Sequence, residues 1–185
     1  MCTLLFAYDV GPAYRLVLAA NRDEFYGRPT APLAVWSDRG SVIAGRDLEG
    51  GGTWMGVTRR GRWAALTNVR RPKEPPAPRS RGELVADFLA GTASARGYVD
   101  ALSSRGEAYG GFNLVVGDES GVYYSSNRNG EPPSAVEPGV HGLSNAALNT
   151  PWPKVQDGKQ ALARVMGHGT VTPDDLLQLL SDRRT

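Results

Sequence analysis

The sequence is poor in the residues that mark several familiar classes of protein. It has one cysteine and two histidines in 185 residues. A single cysteine excludes an intramolecular disulfide and is compatible with a reducing compartment, so we expect a cytoplasmic protein. One cysteine and two histidines also make a poor ligand set for zinc. We therefore predict a protein without a bound metal or other cofactor.

Long apolar runs and concentrated charge are missing as well. No apolar segment approaches the length of a membrane span, and the N-terminus lacks the features of a secretory signal. The formal net charge is only +2, which gives no reason to expect a nucleic-acid or anionic-membrane partner. The run 50–52 of three glycines lacks the lysine and the following helix of a phosphate-binding loop. The expected partner is a small-molecule substrate or ligand.

Apolar runs joined by turn residues predict three β-hairpins. They pair residues 2–8 with 14–20, 53–58 with 62–68, and 112–116 with 122–126. Helical spacing or start signals predict helices in four segments, which are 80–89, 98–102, 155–166 and 172–180. The first has the Ser-x-x-Glu form of a capping box at Ser80 and Glu83. The proline-rich segment 72–78 is predicted not to be helical.

The order of these elements is strands, two helices, strands, and then helices. It lacks the regular alternation of a doubly wound parallel sheet. We therefore predict an α+β fold in which antiparallel sheets carry helices on their outer faces, and a single domain over residues 1–185.

Cys2 is unusual because of its position. If the initiator methionine is removed, the thiol and a free α-amine belong to one residue. An α-amine has an ordinary pKa of roughly 7.7–8, so it can act as the base for its own side chain. The alternative is a small buried hydrophobic residue that begins a strand.

The stretch Asn21-Arg22-Asp23-Glu24 ends the second apolar run with an amide and three charges. In a hairpin, the end of the second strand returns beside the start of the first, which would bring this stretch next to Cys2. Asp23 could then accept a hydrogen bond from the α-amine. Arg22 could stabilise the thiolate or orient a substrate carbonyl. The alternative for Arg22 and Asp23 is a surface ion pair.

Two asparagines, Asn68 and Asn145, each end an apolar run. Amides at strand ends can donate to a developing oxyanion, although they are also ordinary turn residues. Trp54 is interpreted as a residue of the core or of a cleft wall. Arg70 could reach an anionic substrate or be exposed to solvent. His141 is interpreted as a loop histidine and not as a catalytic base.

Several short motifs together resemble one known family. They are residues 1–2, 20–25, 52–54, 66–68 and 142–145, which read Met-Cys, Ala-Asn-Arg-Asp-Glu-Phe, Gly-Thr-Trp, Leu-Thr-Asn and Gly-Leu-Ser-Asn. The sequence is identified as a member of the NRDE family, the homologues of the transport-and-Golgi-organisation protein 2. That family is similar in turn to the N-terminal-nucleophile (Ntn) cysteine hydrolases such as penicillin V acylase and bile-salt hydrolase.

The resemblance implies a four-layer αββα sandwich with Cys2 as the nucleophile. It assigns catalytic roles to Arg22, Asp23, Asn68 and Asn145. Substrate contacts are expected from Asn21, Glu24, Trp54 and Arg70. Family chains usually continue with further strands, so we expect the sandwich to be incomplete at its C-terminal end. An uncovered sheet edge would favour a homo-oligomer.

The sequence thus predicts an Ntn-type cysteine amidohydrolase that cleaves an amide or N-acyl bond through Cys2 and its own α-amine. The alternative is a non-catalytic binding or carrier protein on the same fold. The resemblance implies lipid, acyl-CoA or haem handling for that alternative.

Overall fold

A computed structural model describes residues 2–69 and 75–181 of the chain. Its contacts divide the chain into two compact units. The first unit consists of residues 1–23 and 137–185, and the second consists of residues 24–136. The prediction of a single domain over residues 1–185 stays a prediction.

The described residues form ten strands and four α-helices. In chain order these are β1 Thr3–Tyr8, β2 Leu16–Asn21, β3 Thr30–Val35, β4 Ile43–Asp47, β5 Met55–Val57, β6 Trp63–Asn68, α1 Gly82–Ala90, α2 Ala95–Leu102, β7 Phe112–Asp118, β8 Gly121–Ser126, β9 Ser134–Ala135, β10 Gly139–Leu143, α3 Pro153–Gly167 and α4 Pro173–Leu180. A short 3₁₀ helix lies at Gly106–Ala108. No helix in the described ranges is long and apolar enough to cross a membrane.

The first unit is a three-stranded antiparallel sheet in the order β10-β1-β2, with α3 and α4 packed on it. Leu5, Ala7 and Val17 of the sheet share a buried cluster with Leu162 of α3. Leu176 and Leu179 of α4 pack against this cluster and stay partly exposed, and Leu177 is 64% exposed. The helices therefore stabilise the unit by burying the apolar face of a small sheet.

The second unit is a seven-stranded antiparallel sheet in chain order from β3 to β9. Helices α1 and α2 cover one face of it. Their buried side chains, such as Phe88 and Val99, share a cluster with Ala44, Ala64 and Leu114 of the sheet. Both units thus consist of an antiparallel sheet with a pair of packed helices, and the predicted α+β class with antiparallel sheets is confirmed.

All three predicted hairpins are present, as β1 with β2, β5 with β6, and β7 with β8. The sequence analysis missed β3, β4, β9 and β10. Proline is unfavourable within a strand, and β3 contains Pro32. Glycine weakens the strand pattern in the same way, and both β4 and β10 contain it. These strands form because neighbouring strands pair with them, which local periodicity does not reveal.

The four predicted helices are confirmed, with one correction at a cap. The Glu83 carboxylate accepts from the Ser80 backbone N–H at 3.1 Å, but the helix begins at Gly82 with Arg81 as its N-cap, and no side chain caps it. Only half of the predicted capping box is therefore formed at this helix. The complete box occurs at α4, where Thr172 and Asp175 satisfy each other's backbone N–H groups. Residues 72–74 of the proline-rich segment lie outside the described residues, and 75–78 are not helical.

Candidate active site around Cys2

Cys2 lies at one end of the central strand of the first unit. Thr3 pairs with Asn21 of β2, and Leu4 pairs with Leu143 of β10. When the same pairing is extended toward the N-terminus, Cys2 lies opposite Arg22 on one side and opposite Asn145 on the other. The hairpin argument from the sequence is therefore confirmed for the backbone. The sheet also adds a second neighbour from a segment more than a hundred residues away in the chain.

The carbonyl oxygen of Cys2 is held by two donors. The hydroxyl of Ser144 donates to it at 2.7 Å, and the ammonium of Lys154 donates to it at 3.3 Å. Ser144 is only 2% exposed, so its hydrogen bond is shielded from water. The Ser144 hydroxyl is also 3.3 Å from the side-chain oxygen of Asn145. Cys2 itself is half-buried.

Lys154 is a site residue that the sequence analysis missed. It lies in the first turn of α3, and its distance of 152 residues from Cys2 leaves no local signal. Burial lowers the pKa of Lys154, and the charge of Cys2 acts in the opposite direction. The net effect on the pKa of Lys154 is a decrease, because burial outweighs the effect of Cys2.

Two glycines let α3 approach the sheet closely enough to reach Cys2. A Cβ at Gly158 would lie 2.7 Å from Leu5 Cδ1 of β1. A Cβ at Gly142 of β10 would lie 2.8 Å from Val155 Cγ1 of α3. Because real Cβ atoms avoid such distances, a larger residue at either position would force Leu5 or Val155 to shift. The sequence shows these glycines but not which surface they allow to approach.

The other predicted residues of the first unit have different environments. Arg22 is half-buried and Asp23 is exposed, directly after β2. Asn21 donates its side-chain amide to the carbonyl of Leu180 at 2.8 Å, near the end of α4. This bond satisfies a carbonyl that has no partner within the helix, so Asn21 has a structural role here. Its contact with substrate stays a prediction.

Four predicted site residues do not belong to the described part of the first unit. Asn68, the last residue of β6, is half-buried in the second unit. Trp54 of that unit packs over Gly45, where an added Cβ would be 3.2 Å from its ring. Glu24 accepts from the Phe25 backbone N–H at 3.0 Å, which closes the local turn. Arg70 lies outside the described residues. The roles of all four stay predictions.

His141 has both ring nitrogens engaged in the first unit. Nε2 lies 2.8 Å from the carbonyl oxygen of Glu137, and Nδ1 lies 3.0 Å from the side-chain amide of Asn149. The carbonyl can only accept and the amide can only donate, so the ring is neutral with its proton on Nε2. Burial lowers the pKa of His141, the charge of Lys159 lowers it further, and the bond to Glu137 acts the other way. His141 lies within β10 and pairs with Phe6, so its interpretation as a loop histidine is wrong. Its ring is a structural group.

No group of three histidine, cysteine or carboxylate side chains in residues 2–69 and 75–181 could hold a metal ion. Haem binding through His141 would require breaking one of its two hydrogen bonds. In this arrangement His141 therefore does not offer a ring nitrogen to a haem iron. The prediction that the chain works without a cofactor stays a prediction.

Comparison with known proteins agrees with the motifs around this site. The family described as Transport and Golgi organisation 2 matches residues 1–185. The chain belongs to this family. It is 41% identical over 189 residues to the mouse Transport and Golgi organization 2 homolog, covering 96% of the chain and 68% of that protein. It is 43% identical over 195 residues to the cattle homolog, and the alignment covers 98% of this chain and 71% of that protein. The Transport and Golgi organization protein 2 of Drosophila melanogaster is 31% identical over 206 residues, and the alignment covers 99% of this chain and 73% of that protein.

A solved structure shows the same fold at low sequence identity. It is the Caenorhabditis elegans N-acylethanolamine-hydrolyzing acid amidase ortholog. The TM-score is 0.59 at 12% identity, and the alignment covers 99% of this chain and 87% of that one. The predicted likeness to Ntn hydrolases is therefore confirmed at the level of the fold.

Proposed function

We propose that the chain is an Ntn-type cysteine amidohydrolase that cleaves an amide or N-acyl bond. The arrangement at Cys2 carries this proposal. The residue lies at the end of a central strand, level with Arg22 and Asn145, and two donors hold its carbonyl. Such a fixed backbone suits a nucleophile, because catalysis requires the attacking atom to be oriented before the reaction.

The proposed reaction needs no group from outside the chain except water. After removal of Met1, the α-amine of Cys2 takes the thiol proton, and the thiolate attacks the substrate carbonyl carbon. The carbonyl electrons move to oxygen, where the side-chain amide of Asn145 donates a hydrogen bond. A catalytic role for Asn68 stays a prediction of the sequence. The amine then leaves with the proton from the α-ammonium, and an acyl thioester remains. Water, deprotonated by the α-amine, attacks the thioester and releases the acid and the thiol.

Arg22 and Asp23 would complete the site. Asp23 accepts a hydrogen bond from the α-amine, and Arg22 orients the substrate or stabilises the thiolate. The substrate class is suggested by the solved relative, whose title describes the hydrolysis of N-acylethanolamines. We therefore propose an N-acyl amide as the first class of substrate to examine. Asn21, Glu24, Trp54 and Arg70 remain the proposed substrate contacts.

The first experiment is the intact mass of the untagged protein made from its own start codon. We expect a mass lower by one methionine, which exposes the α-amine of Cys2. The purified protein is then incubated with a panel of N-acyl amides, together with the Cys2→Ala variant. The wild type is expected to release free acid, and the variant is expected to remain folded by circular dichroism and to release none.

Two results would contradict this mechanism. Retention of methionine blocks the amine and removes the proposed base. Hydrolysis by Cys2→Ala at the wild-type rate removes the proposed nucleophile. The first result would leave the binding or carrier function as the one to examine, by titration with lipids, acyl-CoA and haem. The second would mean that another group is the nucleophile. The cytoplasmic location and the homo-oligomer stay predictions of the sequence.

A further inference from the structure

Lys154 occupies a position where a positive charge is ordinarily unfavourable. It lies in the first turn of the 15-residue helix α3, which contains no acidic residue in that turn and no side-chain cap. The N-terminus of a helix carries a partial positive charge, so a lysine there is repelled by the backbone. Lys154 is also half-buried. Two local rules are thus broken at one residue, which is typical of a functional position.

The contacts of Lys154 show what offsets this cost. Its ammonium donates to the Cys2 carbonyl oxygen at 3.3 Å and lies 5.8 Å from the centre of the Trp152 ring. The charge of Cys2 raises the pKa of Lys154 against the effect of burial. A thiolate on Cys2 and an ammonium on Lys154 therefore stabilise each other.

The packing of α3 fixes this pair in place. Gly158 and Gly142 allow the helix to approach β1 and β10 at distances that a Cβ would prevent. The other charged groups near the end of the central strand are Arg22 and Asp23, directly after β2. The β10 side contributes the uncharged Ser144 and Asn145. Lys154 is thus a cation that α3 contributes to the site. The second lysine of this helix, Lys159, donates to the side-chain oxygen of Asn149 at 3.0 Å.

We propose that Lys154 is a positioning residue for Cys2, which fixes the Cys2 backbone and supplies positive charge to the thiolate. This inference deepens the proposed hydrolase function and rests on Cys2 being its nucleophile. It adds a group that none of the recognised motifs contains. It also means that part of the thiolate stabilisation is independent of the α-amine.

The test uses the reactivity of Cys2 itself, which needs no known substrate. The chain has one cysteine, so alkylation by iodoacetamide, followed by intact mass, reports on this thiol alone. We compare the wild type with Lys154→Met, Lys154→Gln and Lys154→Arg from pH 6 to pH 10. The matched control is Arg164→Met, which removes one charge from an exposed position in the last turn of the same helix.

At pH 7 we expect Lys154→Met and Lys154→Gln to be alkylated about tenfold more slowly, because an opposite charge nearby typically changes the thiolate fraction by about that factor. Their rates should approach the wild-type rate at pH 10, where every thiol is ionised. The Lys154→Arg and Arg164→Met variants should react within about twofold of the wild type. Because an unfolded chain with an ordinary thiol would give the same convergence, each variant is first shown to be folded by circular dichroism.

Wild-type rates across the pH range for Lys154→Gln would overturn the proposal, because that variant has lost the charge. The proposal would also be overturned if Arg164→Met were alkylated as slowly as Lys154→Met, because the effect would then come from the net charge of the protein. Failure of the proposed hydrolase function would be a separate result. A wild type without amidase activity can still show the expected dependence of alkylation rate on pH.

Discussion

Replacing Ser144 by alanine tests whether the fixed carbonyl of Cys2 matters. The Ser144 hydroxyl donates to that carbonyl at 2.7 Å and the side chain is 2% exposed, so water does not replace the lost donor. A hydrogen bond of this kind contributes about 1 kcal/mol to the free energy of unfolding. The carbonyl keeps its contact with Lys154, so the larger cost of a buried group without any partner is avoided. We expect destabilisation of about 1 kcal/mol, or a fall in Tm of about 3 °C for a chain of this size.

The functional effect should exceed the effect on stability. Without Ser144 the backbone of Cys2 can rotate about its remaining contact, and a small displacement of a nucleophile reduces the rate strongly. We expect hydrolysis of an N-acyl amide to fall about tenfold. The control is Ser126→Ala in the second unit, which removes a hydroxyl that donates to the Phe112 carbonyl at 2.9 Å and accepts from the Arg128 N–H at 3.2 Å.

Urea unfolding measures the first effect and the initial rate of acid release measures the second. Ser126→Ala should lose at least as much stability as Ser144→Ala and keep the wild-type rate. Equal rates for the two variants would refute the idea that the held carbonyl orients Cys2. Unchanged stability of Ser144→Ala would show that this hydrogen bond contributes nothing.

Two further changes test the fold and its pH dependence. In Gly52→Ala, the new Cβ would lie 2.5 Å from the Gly82 carbonyl oxygen of α1. Urea unfolding should show that the free energy of unfolding falls by about 2–3 kcal/mol. The control is Gly40→Ala, because a Cβ at Gly40 would have nothing within 4 Å. Its free energy of unfolding should fall by less than about 0.5 kcal/mol. Equal losses in the two variants would contradict the close packing at Gly52. Folding lowers the pKa of His141, so the unfolded state binds more protons and stability should fall as pH drops below about 6.5. The free energy of unfolding, measured with urea at pH 5.5 and 7.5, should differ less between the two pH values in His141→Asn than in the wild type. An equal difference in both proteins would show that His141 is not its source.

Part of the candidate site could be predicted because it depends on one local hairpin. The apolar runs before Asn21 and after Cys2 indicate two strands, and a short turn makes them antiparallel neighbours. That alone brings Arg22 level with Cys2. The helices were predictable for a similar reason, because spacing and caps such as Thr172 are local properties of the chain.

The rest depended on contacts between distant segments. β3 and β10 have weak local patterns, and they become strands because a neighbouring strand satisfies their backbone groups. Asn21 reads as a site residue, yet its amide binds Leu180 at the end of a helix 159 residues away. Nothing in local sequence encodes such a pairing.

The sequence by itself determined the family, the hairpins, the helices and the identity of Cys2 as the only thiol. These follow from periodicity, turn chemistry and short motifs, which act over a few residues. Only the tertiary structure decided that Ser144 and Lys154 hold the Cys2 carbonyl. The physical reason is that sheet order and the close packing of α3 at Gly158 bring together segments that no local propensity connects.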